Sequence, residues 1–248
     1  MTTPTLVLTP RFTPDSQALW RAGVELGWNV ERLAGWRVSE ALRRTPNLVL
    51  YLEGLLGPSI AEQLGIRLEK PPVDWLPRLP EEYRRRWVTL STLGEARSLV
   101  EPAFIKPPNE KSFPARVYRG SELPTDYDDE TPVLVAEVVH WTKEFRCFVL
   151  ERGLATFSVY LRDGELQQVN GFAHTSDEAT EVQEFVGRLL DDPRVDLPPA
   201  AVVDVGVIRD RGWAVIEQNA AWASGVYGCD PRRVLEVLKR ACNSSPRP

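Results

Sequence analysis

An acidic residue stands in the middle of an apolar strand pattern, and it limits the folds that this chain can adopt. Asp204 interrupts the apolar run of residues 200–207, whose sequence is Ala-Ala-Val-Val-Asp-Val-Gly-Val. A buried carboxylate costs free energy unless it is paired with a cation or bound to a metal. The fold must therefore provide a partner for Asp204 within an otherwise apolar sheet.

The next strand pattern supplies two candidate partners. Glu217 and Asn219 lie two residues apart at its end, and this spacing points both side chains to one face of a strand. If the two strands pair through the turn at residues 209–212, Asp204 lies near Glu217. Two carboxylates and an amide oxygen are hard ligands that suit Mg²⁺ beside a polyphosphate. The alternative is an acid satisfied by backbone donors and two ordinary polar residues at a strand end.

The first 65 residues alternate between strand and helix patterns. Apolar runs at residues 5–9, 28–33 and 47–52 predict strands, and a helix follows Pro14. This alternation predicts a Rossmann-like α/β unit. The unit lacks the G-x-G-x-x-G fingerprint, so the sequence gives no indication of a dinucleotide site.

A proline-rich segment, residues 69–80, predicts a linker, and strand patterns dominate from residue 103 onward. A capping box at Thr175 and an Asp230-Pro231 pair predict the starts of two later helices. The expected fold class is therefore α/β, in the α+β sense.

Composition narrows the function classes. The chain has 30 Lys and Arg against 35 Asp and Glu, a net charge of −5, which argues against sequence-blind nucleic-acid binding. No apolar run approaches the roughly 20 residues that span a bilayer, so we expect no membrane partner. Three cysteines without metal spacing suit a reducing compartment, and we expect a cytoplasmic protein.

Five segments, taken in order, resemble the ATP-grasp superfamily of carboxylate–amine ligases, and its RimK-like members in particular. They are a strand-end lysine, a hinge strand, an acidic-x-Arg segment, an acid in a strand and a Glu-x-Asn pair. In this sequence they are Lys106, residues 133–139, Glu144 with Arg146, Asp204, and Glu217 with Asn219.

The resemblance implies ATP and Mg²⁺ as cofactors and assigns a role to each of these residues. Lys106 and Arg146 are expected to be catalytic and to meet the phosphates, Glu144 the ribose, and the hinge backbone at Glu137, Val138 and Val139 the adenine. The implied metal ligands are Asp204, Glu217 and Asn219.

Residues 217–231 resemble small bacterial proteins of a divergent ATP-grasp clade. That clade includes a eukaryotic cell-division-cycle factor that assembles a translation initiation complex. The resemblance implies an ATP-grasp fold preceded by a Rossmann-like pre-ATP-grasp domain. The expected boundaries are residues 1–92 for the preceding domain, 93–139 for the N-terminal ATP-grasp subdomain and 140–248 for the C-terminal one.

Two departures from the family pattern bear on function. The phosphate-covering loop of relatives is rich in glycine, but residues 107–114 contain none, and Lys111 is the candidate that supplies charge instead. The upstream lysine of many relatives is also missing, because Lys70 is the only lysine before residue 100. The arginines at positions 84–86 and Arg97 are candidate substitutes.

Three functions remain as hypotheses. The first is an ATP-dependent ligase that acts through an acylphosphate, with an undefined carboxylate donor and amine acceptor, which the resemblance allows to be a peptide or protein. The second is an ATP-binding assembly factor without ligase turnover, which the missing glycines favour. The third is a nucleic-acid ligase, and both the absence of a K-x-D-G motif and the acidic charge argue against it.

Overall fold

A computed structural model describes residues 2–109 and 111–244. Its N-terminal part is a parallel three-stranded sheet in the order β2-β1-β3, with helices between successive strands. The central strand is buried throughout its length, which explains its unbroken apolar sequence. The elements are β1 (Thr5–Leu8), α1 (Pro14–Glu25), β2 (Asn29–Arg32), α2 (Glu40–Arg44), β3 (Leu48–Tyr51), α3 (Gly57–Leu64) and β4 (Ile66–Leu68).

The segment expected to be a linker is more ordered than its composition predicts. It contains the short helix α4 (Trp75–Arg78), and α5 (Glu81–Arg84) follows directly. Trp75 is buried, and its indole nitrogen donates to the carbonyl of Asp196 at 2.5 Å. The prediction of a linker was therefore wrong for this part, because its apolar side chains pack against the C-terminal sheet.

The middle of the chain forms a four-stranded antiparallel sheet in the order β5-β8-β6-β7. Its strands and helix are β5 (Val88–Thr92), α6 (Leu93–Arg97), β6 (Ala103–Lys106), β7 (Arg116–Tyr118) and β8 (Pro132–Ala136). The expected hinge strand thus ends at Ala136, and the three hinge residues lie directly beyond it.

The C-terminal part is a five-stranded sheet in the order β11-β10-β9-β12-β13. Two long helices pack against it, and a short final strand pairs with β4. The elements are β9 (Trp141–Leu150), β10 (Gly153–Arg162), β11 (Glu165–Leu166), α7 (Ser176–Asp191), β12 (Ala200–Ile208), β13 (Gly212–Asn219), α8 (Pro231–Ala241) and β14 (Cys242–Ser244).

The two faces of the five-stranded sheet belong to different apolar cores. One face packs on α7 through Val182, Phe185 and Leu189. The lower part of the other face, at Phe148 and Val202, packs with α8 and the N-terminal parallel sheet. The upper part of this second face carries the polar residues described below. None of the helices in the described residues has the length and apolar character that a membrane-spanning segment requires.

Candidate functional site

The strands β12 and β13 bring the two predicted carboxylates together. They pair in antiparallel fashion, and Asp204 is the direct cross-strand partner of Glu217. The tight turn between them is possible because Asp210 and Gly212 adopt left-handed backbone conformations, with φ of 63° and 83°. The strand pairing that the sequence predicts is thus present, and Asn219 stands opposite Val202 on the same two strands.

Asp204 has a cationic partner on its other side. In the β9–β12 pairing it lies opposite Arg146, whose Nε donates to Oδ1 at 3.0 Å and whose Nη2 donates to Oδ2 at 2.6 Å. Asp204 is fully buried. Burial opposes the charge on Arg146, but the adjacent carboxylate outweighs it and raises the pKa of the guanidinium. This bidentate pair is the partner that an acid in an apolar strand requires.

Asn219 connects the two carboxylates. Its amide nitrogen donates to Oε1 of Glu217 at 2.8 Å and to Oδ2 of Asp204 at 3.2 Å. Oxygen atoms from both acids therefore converge on one position beside the Asn219 amide. In the described residues, no three His, Cys, Asp or Glu side chains form a metal group on their own. A cation here would need the amide oxygen as a third donor, and the hard oxygen set of these three residues fits Mg²⁺.

Lys106 approaches this cluster from the other sheet. It is the last residue of β6, and its ammonium forms an ion pair with Glu217. Burial alone raises the pKa of Glu217, but the charge of Lys106 and the hydrogen bond from Asn219 outweigh it and bring the pKa to about 2. Glu217 is therefore ionised at neutral pH and faces the gap between the two sheets.

A cleft runs between the two sheets and has an apolar end and a polar end. The apolar end is a cavity of about 310 Å³, and the polar end is a cavity of about 450 Å³. Lys106, Ala115 and Glu217 line both cavities. The apolar end is lined by Val88, Phe104, Val117, Leu134 and Ala136, with Glu137, Val138 and Val139 at its rim and Glu144 nearby.

The polar end lies beneath the predicted phosphate loop. Exposed Lys111 lines it together with Asn219 and Pro107. Glu110 of this loop lies outside the described residues. The loop contains no glycine, so any charge that it contributes to a ligand comes from Lys111 rather than from closely approaching backbone amides.

The hinge residues are held from outside the cleft. Arg211 donates to both carboxylate oxygens of Glu137, at 2.6 and 3.0 Å. The Glu137 amide also donates to the carbonyl of Trp87 at 3.1 Å, which continues the β5–β8 pairing by one step. The side chain of Glu137 is thus engaged by protein, and its contribution to a ligand in the cleft is limited to its main chain.

Aromatic rings flank Arg146. Its guanidinium carbon lies 4.8 Å from the ring centre of Tyr227 and 5.4 Å from that of Tyr160, and the two rings stack 5.3 Å apart. The Tyr160 hydroxyl donates to Glu144 at 2.8 Å. Burial raises the pKa of Glu144, and this hydrogen bond opposes the rise. Sequence analysis did not select Tyr160, because its position beside Arg146 depends on the irregular register of β10.

The N-terminal sheet touches the site through the loop after β13. Asp15, at the start of α1, accepts from the Val226 amide at 2.9 Å, and the carbonyl of Gly225 accepts from Arg146 at 3.1 Å. Sequence analysis also missed Asp15, since 211 positions separate it from Val226. Trp222, in the same loop, is buried and donates to the carbonyl of Glu69, so it packs the interface rather than lining the cleft.

Residues 83–237, more than half of the chain, match the sequence model of an ATP-grasp domain family, the second family of its clade. The chain belongs to this ATP-grasp family. The match includes every predicted site residue, from Lys106 to Asn219. Among curated proteins, no sequence matches the chain.

Solved structures share the ATP-grasp fold at low sequence identity. A RimK domain ATP-grasp protein from Sphaerobacter thermophilus has a TM-score of 0.53 at 15% identity, with 94% of this chain and 99% of that chain covered. The D-alanine–D-alanine ligase from Bacillus anthracis has a TM-score of 0.54 at 13% identity, with 97% of each chain covered.

The D-cycloserine synthetase DcsG has a TM-score of 0.55 at 15% identity, with 95% of this chain and 98% of that chain covered. These likenesses extend over nearly the whole chain, including the part that precedes residue 83. They establish the fold and leave the substrates open.

Proposed function

We propose that this protein is an ATP- and Mg²⁺-dependent carboxylate–amine ligase. The observation that carries the proposal is the cleft between the two sheets, which changes from apolar walls at the hinge to the Lys106–Glu217 pair at its other end. A nucleoside triphosphate has this same division between an apolar base and a charged tail. Membership of the ATP-grasp family supports the same assignment.

The apolar end is proposed to hold the adenine. Val88, Phe104 and Leu134 offer aliphatic and aromatic surface to a planar base. The main chain at Val138 and Val139 lies beyond the end of β8, and its amide and carbonyl groups are suited to the polar edge of adenine. Glu144 stands between the two ends of the cleft, where a carboxylate can accept hydrogen bonds from ribose hydroxyls.

The polar end is proposed to hold the phosphates. Lys106 and Lys111 supply positive charge, and Arg146 uses only three of its five N–H groups on Asp204 and Gly225. Glu217 and Asn219, with Asp204 behind them, would hold Mg²⁺. The ion, when bound, would neutralise charge on the phosphate oxygens. The chain contributes fixed cations, which lower the barrier to phosphoryl transfer by positioning and charge stabilisation.

The proposed reaction has two displacement steps. A carboxylate oxygen of the donor attacks the γ-phosphorus, the bond from phosphorus to the bridging oxygen breaks, and ADP leaves. The amine of the acceptor then attacks the acyl carbon, the carbon–oxygen bond breaks, and phosphate leaves as the amine loses a proton. Carboxylate–amine joining is the chemistry named for the Bacillus ligase that shares this fold. We propose a peptide or protein as a substrate and a cytoplasmic location, as the family resemblance suggests.

An ATP-binding assembly factor without turnover is the second candidate. The observation that favours it is the engagement of Arg146 by Asp204, which leaves this arginine partly committed to a structural pair. The glycine-free loop points in the same direction, because it lacks the close backbone approach that phosphoryl transfer commonly uses.

Product analysis distinguishes the candidates. The protein is incubated with Mg-ATP and a pool of metabolites and peptides from a cell lysate. Release of ADP and phosphate that depends on the pool supports the ligase. ATP binding without any product supports the assembly factor, and release of AMP contradicts an acylphosphate mechanism. Glu217→Gln provides a control for contaminating ATPases, because the proposal predicts that it removes the product signal.

A further inference from the structure

Arg86 is a buried cation that binds the main chain of β13. It lies between α5 and β5 and is only 8% exposed. Its Nη1 donates to the carbonyl of Val215 at 2.8 Å and to that of Arg84 at 3.0 Å, and its Nη2 donates to the carbonyl of Ile216 at 3.2 Å. Every hydrogen bond that Arg86 makes in the described part of the chain therefore goes to a main-chain carbonyl.

The environment of Arg86 is costly for a charge. Burial lowers the pKa of its guanidinium to about 10, so the group remains protonated at neutral pH. The guanidinium carbon lies 4.9 Å from the ring centre of Trp141, which offers a favourable aromatic face. A positive charge held in this way favours a role that uses its fork of donors.

The two β13 carbonyls that Arg86 binds belong to a β-bulge. Asp204 pairs with Glu217 and Val205 pairs with Val215, so Ile216 is an extra residue without a partner on β12. Consecutive residues of a regular strand point to opposite faces. Ile216 and Glu217 nevertheless both line the apolar cavity. The bulge therefore turns Glu217 toward the cleft, as bulges beside functional sites commonly re-aim a side chain.

We propose that Arg86 is a positioning residue that fastens the bulge at Ile216 and so fixes the place of the Glu217 carboxylate opposite Lys106. The functional part of this proposal rests on the proposed function, since it takes Glu217 as a residue of the phosphate end. Arg86 acts through the main chain of β13, and direct contact with the nucleotide is not part of this role.

Hydrogen exchange tests the structural part without any ligand. Arg86→Lys retains the charge, but a single ammonium cannot reproduce the planar fork that reaches two successive carbonyls. We expect amide exchange in residues 214–219 to become about tenfold faster, which corresponds to the loss of about one hydrogen bond. Arg85→Lys is the matched control, because Arg85 is the exposed neighbour. Equal exchange in wild type and Arg86→Lys overturns the proposal.

A titration tests the functional part. AMPPNP, a non-hydrolysable ATP analogue, is titrated into wild type, Arg86→Lys and Arg85→Lys, once with Mn²⁺ and once with EDTA. We expect Arg86→Lys to reduce the Mn²⁺-dependent gain in affinity about tenfold and to leave the affinity in EDTA at the wild-type value. An equal loss in both conditions means direct nucleotide contact and overturns the proposal. Wild type that binds no AMPPNP instead contradicts the proposed function, and hydrogen exchange still decides the role of Arg86.

A variant combination guards against general damage to the fold. If Arg86 acts through Glu217, Glu217→Gln should reduce the Mn²⁺-dependent gain no further in the Arg86→Lys background than Arg86→Lys does alone. Independent, additive losses overturn the proposal. If Arg86→Lys does not fold, Arg86→Gln, which is uncharged and retains one donor group, replaces it in all three measurements.

Discussion

Arg146 and Asp204 form a two-point ion pair, at 3.0 and 2.6 Å, between neighbouring strands in the middle of the C-terminal sheet. Asp204 is fully buried, and Arg146 is nearly so. A buried pair of this kind often adds little net stability over apolar residues, but the loss of one partner leaves an uncompensated charge. The pair therefore makes the candidate site a structural part of the sheet as well as a functional one.

The first prediction concerns this pair. Asp204→Ala is expected to lower the free energy of unfolding by about 3–5 kcal/mol, because Arg146 is then buried without its carboxylate. Glu40→Ala is the control, since it removes the exposed Glu40–Arg44 pair and should cost at most about 0.5 kcal/mol. Urea unfolding measures both. The double variant Arg146→Met with Asp204→Leu should be more stable than Asp204→Ala, and the reverse order contradicts this account.

The second prediction concerns Glu217. Glu217→Gln is expected to leave a folded protein and to abolish Mg²⁺-dependent turnover, because an amide cannot supply the negative charge that balances a divalent cation. Circular dichroism checks the fold, and ADP release at increasing Mg²⁺ concentrations checks the turnover. Full Mg²⁺-dependent activity in this variant would remove Glu217 from the metal ligands.

The third prediction separates the phosphate end from the adenine end. Lys106→Ala should weaken the binding of AMPPNP by about 1.5–3 kcal/mol, or one to two decades, through loss of a charge-assisted contact. The same variant should bind adenosine as wild type does. Titration calorimetry measures both ligands. Glu144→Gln is the comparison, because an amide oxygen still accepts from a ribose hydroxyl, and a larger loss there than in Lys106→Ala means that the two roles are reversed.

The fourth prediction concerns pH and a group outside the cleft. Glu178 is buried at the start of α7, and hydrogen bonds from Arg162, at 2.6 and 2.8 Å, lower its pKa below the ordinary value of 4.5, with burial opposing and Lys143 adding to the shift. A carboxyl with a lower pKa in the folded state stabilises the protein above its unfolded pKa. This contribution is lost as the pH falls through the folded value.

Glu178→Gln should therefore be less stable than wild type at pH 7, and the difference should narrow at pH 3. Urea unfolding at the two pH values measures the difference. A gap that stays constant or widens at low pH would show that the ion pair with Arg162 and Lys143 is not its source.

The sequence predicts the parts of the site that depend on local pattern. The β12–β13 pairing follows from two apolar strand patterns joined by a turn with a glycine, and it places Asp204 beside Glu217. The position of Lys106 at the end of a strand follows in the same way. These features require only the periodicity of strands and the chemistry of turns.

The rest depends on pairings between distant parts of the chain. Arg146 and Asp204 are 58 residues apart, and no pattern within either strand indicates that β9 and β12 are neighbours. The role of Arg86 could not be read from the three consecutive arginines, because it requires a bulge in a strand more than a hundred residues later. Trp75 was assigned to a linker for the same reason, since its partner Asp196 lies on the far side of the fold.

The domain boundaries at residues 92/93 and 139/140 remain predictions. Limited proteolysis of the full chain, with fragments identified by mass, would test them.

The central claim is that Mg-ATP binds in the cleft between the two sheets, and a thermal melt tests it most directly. Wild type and Lys106→Ala are melted with no ligand, with ATP in EDTA and with Mg-ATP. At a concentration of 100 times its dissociation constant, Mg-ATP should stabilise wild type by about 2.7 kcal/mol, with a smaller gain in EDTA and in Lys106→Ala. A wild-type melting temperature that is unchanged by Mg-ATP at millimolar concentration would contradict the account.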